Sequence, residues 1–444
     1  MTDYAADAAR VTQELLERLG ESAPQPRLEP TRRVADLLGE PQRAYPVIHI
    51  TGTNGKTTTA RIIESILRAY GLRTGLMTSP HLVRLNERIM IDGEPISDER
   101  LVANWDDIQP YLLMVDTELE AAGEAPLTMY EALSLLTFAA FADAPVDVAI
   151  LEVGMGGEWD STNVADGQVA VLAPVALDHT RFLGSTVGEI ARTKSGIIKP
   201  LAEVVSASQE PEAFAEIVRA VALTESVLHA EPESFALESA EVAVGGQSIT
   251  VRGIAGRYED LYLPLYGDHQ GHNAALAIAA VEAFLGRGKQ PLVPAVLADG
   301  LQQASSPGRL QILASDPAVI VDAAHNPHGA HALAEALAKY FAFEEIAFVV
   351  GILADKDAQG VIAELAPVAS RWYPTASGSE RALSGEEIAD LLDATDIPHE
   401  PPLPVAEALR AAQAWAAEAP RRAVVVAGSI TLVGDVLRLA ELDD

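Results

Sequence analysis

Residues Val47–Thr59 read VIHITGTNGKTTT, and the order of residue types within them decides the fold class. An apolar run, Val47-Ile48-His49-Ile50, meets Gly52 and Gly55, then Lys56 and three threonines; Ile62, Ile63, Ile66, Leu67 and Tyr70 follow at helical spacing. A strand, a loop and a helix are the implied local structure. Glycines let backbone N–H groups close around phosphate oxygens, the helix N-terminus adds positive potential, the lysine is a mobile charge, and the Thr57 hydroxyl suits Mg²⁺. Gly52, Thr53, Asn54, Gly55, Lys56, Thr57 and Thr58 are therefore expected to hold ATP. The general pattern G-x-x-x-x-G-K-[ST] is met at Gly55-Lys56-Thr57, whereas Ile50 stands where its first glycine would be. The loop points to a nucleotide and names no reaction.

On the N-terminal side, Thr2 to about Gly39 is helical in pattern, with Val11, Leu15, Leu16 and Leu19 on one face and Pro24 and Pro26 as breakers. It reads as a cover for the nucleotide domain. On the other side, Leu76–Leu82 is a short apolar segment ending in a polar turn that carries Ser79 and His81, a pair that turn chemistry alone would also explain. Residues Ile96–Ala125 read as a helix and a loop, and Tyr130–Ala142 as a further helix. Val146–Val153 is a buried strand that delivers Glu152 to a second glycine-rich loop, Gly154-Met155-Gly156-Gly157-Glu158-Trp159-Asp160. A run from Val169 to Leu177 delivers Asp178 and His179.

In doubly wound sheets the loops at the carboxyl ends of the strands build the site, which places Glu152 and His179 beside Lys56 and Thr57. Glutamate is a natural Mg²⁺ ligand; His179 is open between metal binding and hydrogen bonding. Lys194 and Lys199, in KSGIIKP, read on their own as solvated lysines.

Val242–Val251 alternates around Gly245-Gly246 as a hairpin would. His269–Asn273 opens an alanine-rich helix, Ala274–Phe284, and ordinary N-capping would account for those residues. The polar turn Ser305–Arg309 marks a domain boundary, giving residues 1–306 and 307–444. Beyond it, strands at Val319–Asp322, Ile346–Gly351 and Ala423–Ala427 alternate with helices at Gly329–Tyr340, behind a capping box of Ser384 and Glu387, and at the C-terminus. The expected fold is α/β: a P-loop NTPase-like domain with a central, mostly parallel sheet, followed by a smaller Rossmann-like domain whose Asp322–Pro327 loop also lies at a strand end.

The 444 residues, 49% of them hydrophobic, can fill two or three cores. With 31 basic against 64 acidic residues, the net charge of -33 argues against nucleic acid or an anionic membrane as partner. It also means that the few cations must gather where an anionic ligand binds. The absence of cysteine removes disulfides, thiolate metal sites and a cysteine nucleophile. No leader-like start and no apolar run of about 20 residues are present, so a cytoplasmic protein is expected.

The motifs GTNGKT, SPHL with NERI, LEVGMGG with DSTN, DH, AxxKSGIIK, GDHQxHNA, SPGRLQ, DAAHNP and a terminal GS follow in an order that resembles folylpolyglutamate and dihydrofolate synthases of the Mur ligase superfamily, over nearly the whole chain. The resemblance implies an ATP-dependent ligase that joins L-glutamate to dihydropteroate or folate through an acyl phosphate. It implies Mg²⁺, as two ions, held by Thr57, Ser79, Glu152 and His179, and by Lys194 after carbamylation. It also implies Asn273, Arg309 and Asp322 at ATP, and Lys56, Lys194 and His325 in catalysis. His81, Tyr130, Gly156, Gly157 and Asp160 would then serve the pterin or folate, His325 and Ser429 the glutamate, in a monomer. Glu158 departs from the pattern, because a basic residue usually follows the two glycines, and Lys56-Thr57-Thr58 is closer to the cell-wall ligases. Two other readings stay open: a Mur-type ligase acting on a UDP-muramoyl substrate, and a nucleotide-binding switch without ligase chemistry.

Overall fold

The computed structural model describes residues 4–20, 23–395 and 397–443. Its largest sheet contains β1 (Val47–Thr51), β2 (Thr74–Met77), β3 (Ile89–Ile91), β4 (Glu94–Pro95), β5 (Val148–Glu152), β6 (Gly167–Leu172), β7 (Glu203–Ser206) and β8 (Val227–Ala230). They run in the order β4-β3-β2-β5-β1-β6-β7-β8, and only the β2–β3 and β3–β4 pairings are antiparallel. The P-loop strand β1 therefore sits between β5 and β6, with both glycine loops at one end of the sheet.

Strand periodicity explains why both faces of this sheet are covered. Ile48, Ile50, Val148 and Ile150 join a core with Ile62, Ile63 and Ile66 of the helix Lys56–Ala69, while Val47, Ala149 and Leu151 join another with Leu133, Phe138 and Phe141 of the helix Met129–Asp143. Each fully buried isoleucine or leucine contributes about 1.5–3 kcal/mol. The helix Pro294–Gln302, which no sequence pattern singled out, approaches the backbone so closely that a Cβ on Gly300 would lie 2.7 Å from Ile66 Cα.

The N-terminal cover comprises two helices, Ala5–Leu16 and Glu29–Leu37, on either side of Pro24 and Pro26; Thr2 lies outside the described residues. The hairpin is present as β9 (Ala236–Ala243) and β10 (Gly246–Arg252), and β11 (Arg257–Leu263) adds a third antiparallel strand. The alanine-rich helix spans Asp268–Gly286, so His269–Asn273 lie inside it; Gly267 takes the cap position, and the capping explanation fails.

A second sheet holds β12 (Gln311–Ser315), β13 (Ala318–Val321), β14 (Glu345–Val350), β15 (Arg371–Pro374) and β16 (Arg422–Ala427) in the order β12-β13-β16-β14-β15. It is parallel apart from the β12–β13 pair, which sequence alternation alone did not separate from the preceding turn. Ile320, Phe348, Val350 and Val425 face one helical layer, and Val319, Val349, Val424 and Val426 the other. The Ser384–Glu387 capping box forms as expected.

Candidate active site

A cleft of about 1520 Å³ opens where the P-loop faces the second sheet. A site for one small ligand occupies roughly 300–1,000 Å³, so there is room here for a nucleotide and a second substrate together. Along one wall, Gly55 takes a φ of +83°, and the helix Lys56–Ala69 starts directly behind it. A Cβ at Gly55 would stand 2.4 Å from Asn273 Oδ1, which fixes the alanine-rich helix against the loop. Gly55→Ala is expected to lower stability by about 1–3 kcal/mol and to weaken ADP binding, because a left-handed backbone and a steric overlap coincide there. Thermal denaturation with and without ADP measures both; unchanged values would mean that the loop is not held in this form.

Two lysines converge on a single carbonyl. Lys56 Nζ donates to Gly52 O at 3.1 Å and Thr53 O at 3.3 Å, and Lys194 Nζ donates to the same Gly52 O at 2.7 Å. Burial lowers the pKa of both; Glu152 and Asp178 partly oppose this at Lys56, whereas at Lys194 the charge of Lys56 adds to burial and the value falls to about 7. Lys194 is thus neither solvated nor part of the cleft lining: it is a buried amine beneath the P-loop.

Thr57 Oγ1 donates to Glu152 at 2.8 and 3.0 Å, and the Ser79 backbone N–H reaches the same carboxylate at 3.4 Å. Burial raises the pKa of Glu152, with Lys56 opposing. These three residues form an oxygen-rich corner. His179 is not hydrogen-bonded to it: its nearest carboxylate is Asp178, at 3.7 Å, and burial lowers its pKa to about 4. No group of three or more His, Cys, Asp or Glu gathers among the described residues.

The reason lies in the strand. β6 ends at Leu172, five residues before the expected Leu177, because Pro174 has no N–H and the chain turns over the P-loop. Pro174 O accepts from Thr53 N at 2.8 Å, and Thr53 Oγ1 donates to Ala176 O at 3.0 Å. Asp178 and His179 consequently lie in a loop above the phosphate site, not at a strand end.

From the second domain, Asp322 accepts from the backbone N–H groups of Leu310 and Ala324, both at 2.8 Å, and its pKa is raised by burial against the pull of Arg309. His325 is hydrogen-bonded through Nδ1 to Ala323 O at 3.0 Å, and burial lowers it to about 4, so the ring is neutral at pH 7. Ser429 is buried and accepts from Leu432 N at the start of the last helix. Among the contacts that join the domains in the described residues are three between residues that line the cleft. Asn326 Nδ2 donates to Asn54 Oδ1 at 3.3 Å, Asn54 Nδ2 meets His328 Nδ1 at 3.1 Å, and Lys356 Nζ donates to Asp178 Oδ1 at 3.0 Å. Burial would raise Asp178, but His179 and Lys356 together hold it below the ordinary carboxylate range.

Tyr130, Trp159 and Asp160 line the far end of the cleft. Tyr130 donates its hydroxyl to Glu152 O at 3.2 Å, and Asp160 accepts from Thr162 N and Met155 N, each at 3.0 Å. Other expected substrate residues are placed elsewhere. His81 is off the lining, with Arg88 Nε donating to its Nδ1 at 2.8 Å. Gly156 and Gly157 are packing positions: Gly156 O accepts from Thr51 Oγ1, and a Cβ on Gly157 would lie 2.7 Å from Lys194 O. Gly52 acts through its carbonyl. The reversed charge, Glu158, is exposed and does not line the cleft.

Sequence reasoning missed Lys356, although its Asp355-Lys356-Asp357 loop follows a strand, as the other site loops do. Arg27 was missed as well; it brings the N-terminal segment to the lining and pairs with Glu131 at 3.1 Å.

Comparison with known proteins places these features. Residues 50–281 match the Mur ligase middle domain, and residues 308–430 match the Mur ligase, glutamate ligase domain. The chain is 43% identical over 397 residues to the dihydrofolate synthase/folylpolyglutamate synthase of Mycobacterium tuberculosis, covering 87% of this chain and 82% of that protein. It is 39% identical over 365 residues to the folylpolyglutamate synthase of Lacticaseibacillus casei, covering 81% and 84%. Among solved structures, the Mycobacterium tuberculosis folylpolyglutamate synthase complexed with ADP superposes with a TM-score of 0.93 at 39% identity, covering 99% of both chains. Escherichia coli FolC in complex with DHPP and ADP gives 0.86 at 31% identity over 100% of each.

Proposed function

The chain belongs to the dihydrofolate synthase/folylpolyglutamate synthase family of Mur ligases, and from that premise we propose how its residues divide the work of glutamate ligation. It is an ATP-dependent ligase that joins L-glutamate to dihydropteroate or to a folate. The observation that carries the residue assignments is the convergence of Lys56, the Thr57–Glu152 pair and the Arg309–Asp322–His325 group of the second domain on one cleft.

In this reading the γ-phosphoryl group of ATP passes to the acceptor carboxylate, the amine of glutamate attacks the acyl phosphate, and phosphate leaves as the amide forms. Lys56 and the N–H groups of residues 52–57 stabilise the charge on the transferring phosphoryl group. Asn273, Arg309 and Asp322 hold the nucleotide. Tyr130 and Asp160 hold the pterin end of the acceptor, and His325, neutral and anchored through Nδ1, presents its second nitrogen toward the incoming glutamate with Ser429 nearby.

Thr57, Ser79 and Glu152 are hard oxygen donors around a buried carboxylate, a set that fits Mg²⁺. The ion would supply positive charge to the phosphate oxygens. His179, whose Nε2 lies 3.7 Å from Asp178, would join that set by moving off Asp178. Carbamylated Lys194 would add an anionic oxygen donor, and a carbamate keeps one N–H for Gly52 O. The division at residues 306 and 307, a monomeric working form and a cytoplasmic location complete the proposal. None of the helices among the described residues is long and apolar enough to cross a membrane.

The test is phosphate release by the purified protein with ATP, Mg²⁺ and glutamate, with dihydropteroate, tetrahydrofolate or a UDP-muramoyl substrate supplied in turn. Release with either of the first two is expected. Release only with the last would overturn the assignment in favour of cell-wall ligation, and release without any acceptor would reduce the protein to an ATPase.

A further inference from the structure

We propose that Arg181 reads the glutamyl tail of the acceptor, so that it favours folates over dihydropteroate; this rests on the ligase reading above. The starting observation is a surplus charge. In a chain with 64 acidic and 31 basic residues, cations in the cleft are taken up by acids: Arg27 pairs with Glu131 at 3.1 Å, Arg381 with Asp355 at 2.6 Å and Lys356 with Asp178 at 3.0 Å. Lys56 is turned to backbone carbonyls, and Arg309 faces Asp322 beside the nucleotide loop. Arg181 lines the same cleft, is exposed, and has no carboxylate or carbonyl partner among the described residues. Its guanidinium lies 5.5 Å from the centroid of the Phe182 ring, which leaves its N–H groups available to a ligand.

The chemistry of the substrates supplies the missing partner. Dihydropteroate has one carboxylate, and that one reacts. Every acceptor that already carries glutamate also keeps an α-carboxylate, four bonds from the reacting γ-carboxylate and so roughly 5 Å away. This spectator anion accompanies the reacting group to the phosphoryl site whatever the length of the tail. Arg181 stands two residues beyond His179, in the short helix Thr180–Leu183 that follows the loop over the P-loop, near Leu177 and Phe182 in the chain, whose exposed apolar surfaces suit the tail's methylene groups. A planar guanidinium binds a carboxylate in a fork, and in a cleft open to water such a bond is worth about tenfold in affinity.

The experiment compares kcat/KM for tetrahydrofolate diglutamate with that for dihydropteroate in the full-length wild type, Arg181→Ala and Arg181→Lys, at low and high salt, with the KM for glutamate measured alongside. The ratio is expected to fall about tenfold in Arg181→Ala, to recover in part in Arg181→Lys, and to lose sensitivity to the mutation at high salt. An unchanged ratio would overturn the proposal. So would a rise in the glutamate KM with both acceptors, which would assign Arg181 to the incoming amino acid. If the wild type used neither acceptor, the ligase reading itself would be what failed.

Discussion

Lys56→Ala is expected to lower kcat for phosphate release by about 10²- to 10³-fold or more, in line with the loss of one preorganised charge from a phosphoryl-transfer site. The variant should nevertheless melt at the wild-type temperature or slightly above it. The reason lies in what Lys56 does without ligand: its amine is hydrogen-bonded, among the described residues, to the carbonyls of Gly52 and Thr53, and burial depresses its pKa. A lysine whose folded pKa lies below its unfolded value costs stability while it is charged; that cost is present at neutral pH and is relieved only as the pH rises toward the unfolded value. Alanine removes the charge and the cost together, at the loss of two hydrogen bonds to carbonyls that Lys194 or water can still satisfy. Steady-state phosphate release beside a thermal melt separates the two effects. Retained turnover would remove Lys56 from the chemistry, and a collapsed melting temperature would make it a structural residue.

Much of this site was legible in the sequence because it lies where strands end, and strand ends are visible as apolar runs that stop at polar residues. Lys56, Thr57 and Glu152 were placed on that logic, and the structure brings them together. The same logic misplaced Asp178 and His179, since Ala173-Pro174-Val175-Ala176-Leu177 is apolar enough to continue a strand on paper. What ends it is a missing N–H at Pro174 and the demand of the P-loop amides for a carbonyl, a long-range hydrogen bond that no local pattern carries. Lys356 went unassigned for a related reason: its partner, Asp178, is 178 residues away in sequence and on the other domain. Gly156 and Gly157 show a second use of a glycine-rich loop: the space left by the missing side chains is filled by close packing, against the Leu183, Thr193 and Trp159 side chains at Gly156 and against the Thr193 and Lys194 carbonyls at Gly157. Glu158 is exposed and off the cleft lining, so the reversed charge it introduces is not placed among the lining residues.

Lys194→Ala is expected to produce a loss of activity comparable to that at Lys56, by a different route. Lys194 is buried, does not itself line the cleft, and reaches the P-loop through Gly52 O at 2.7 Å. A protonated lysine there is unfavourable: burial first, and then the charge of Lys56, already lower the pKa of the Lys194 amine. Conversion to a carbamate would replace the repulsion from Lys56 by attraction and add an anionic oxygen donor beneath the P-loop, at no loss of the bond to Gly52 O. If the residue acts in this way, Lys194→Ala should regain part of its rate with millimolar formate or acetate, which restore an anion to the space left by the side chain. Wild-type protein in ¹³C-bicarbonate should give a carbamate resonance that the variant lacks. If Lys194 instead acts as a cation that props the loop, carboxylates will not rescue the variant and the resonance will be absent from the wild type. The pH response divides the two readings again. Carbamate formation consumes the neutral amine, and with a pKa of about 7 roughly half of the population is neutral at pH 7, so bicarbonate should stimulate activity increasingly as the pH rises through that value. A propping cation would lose effect over the same interval.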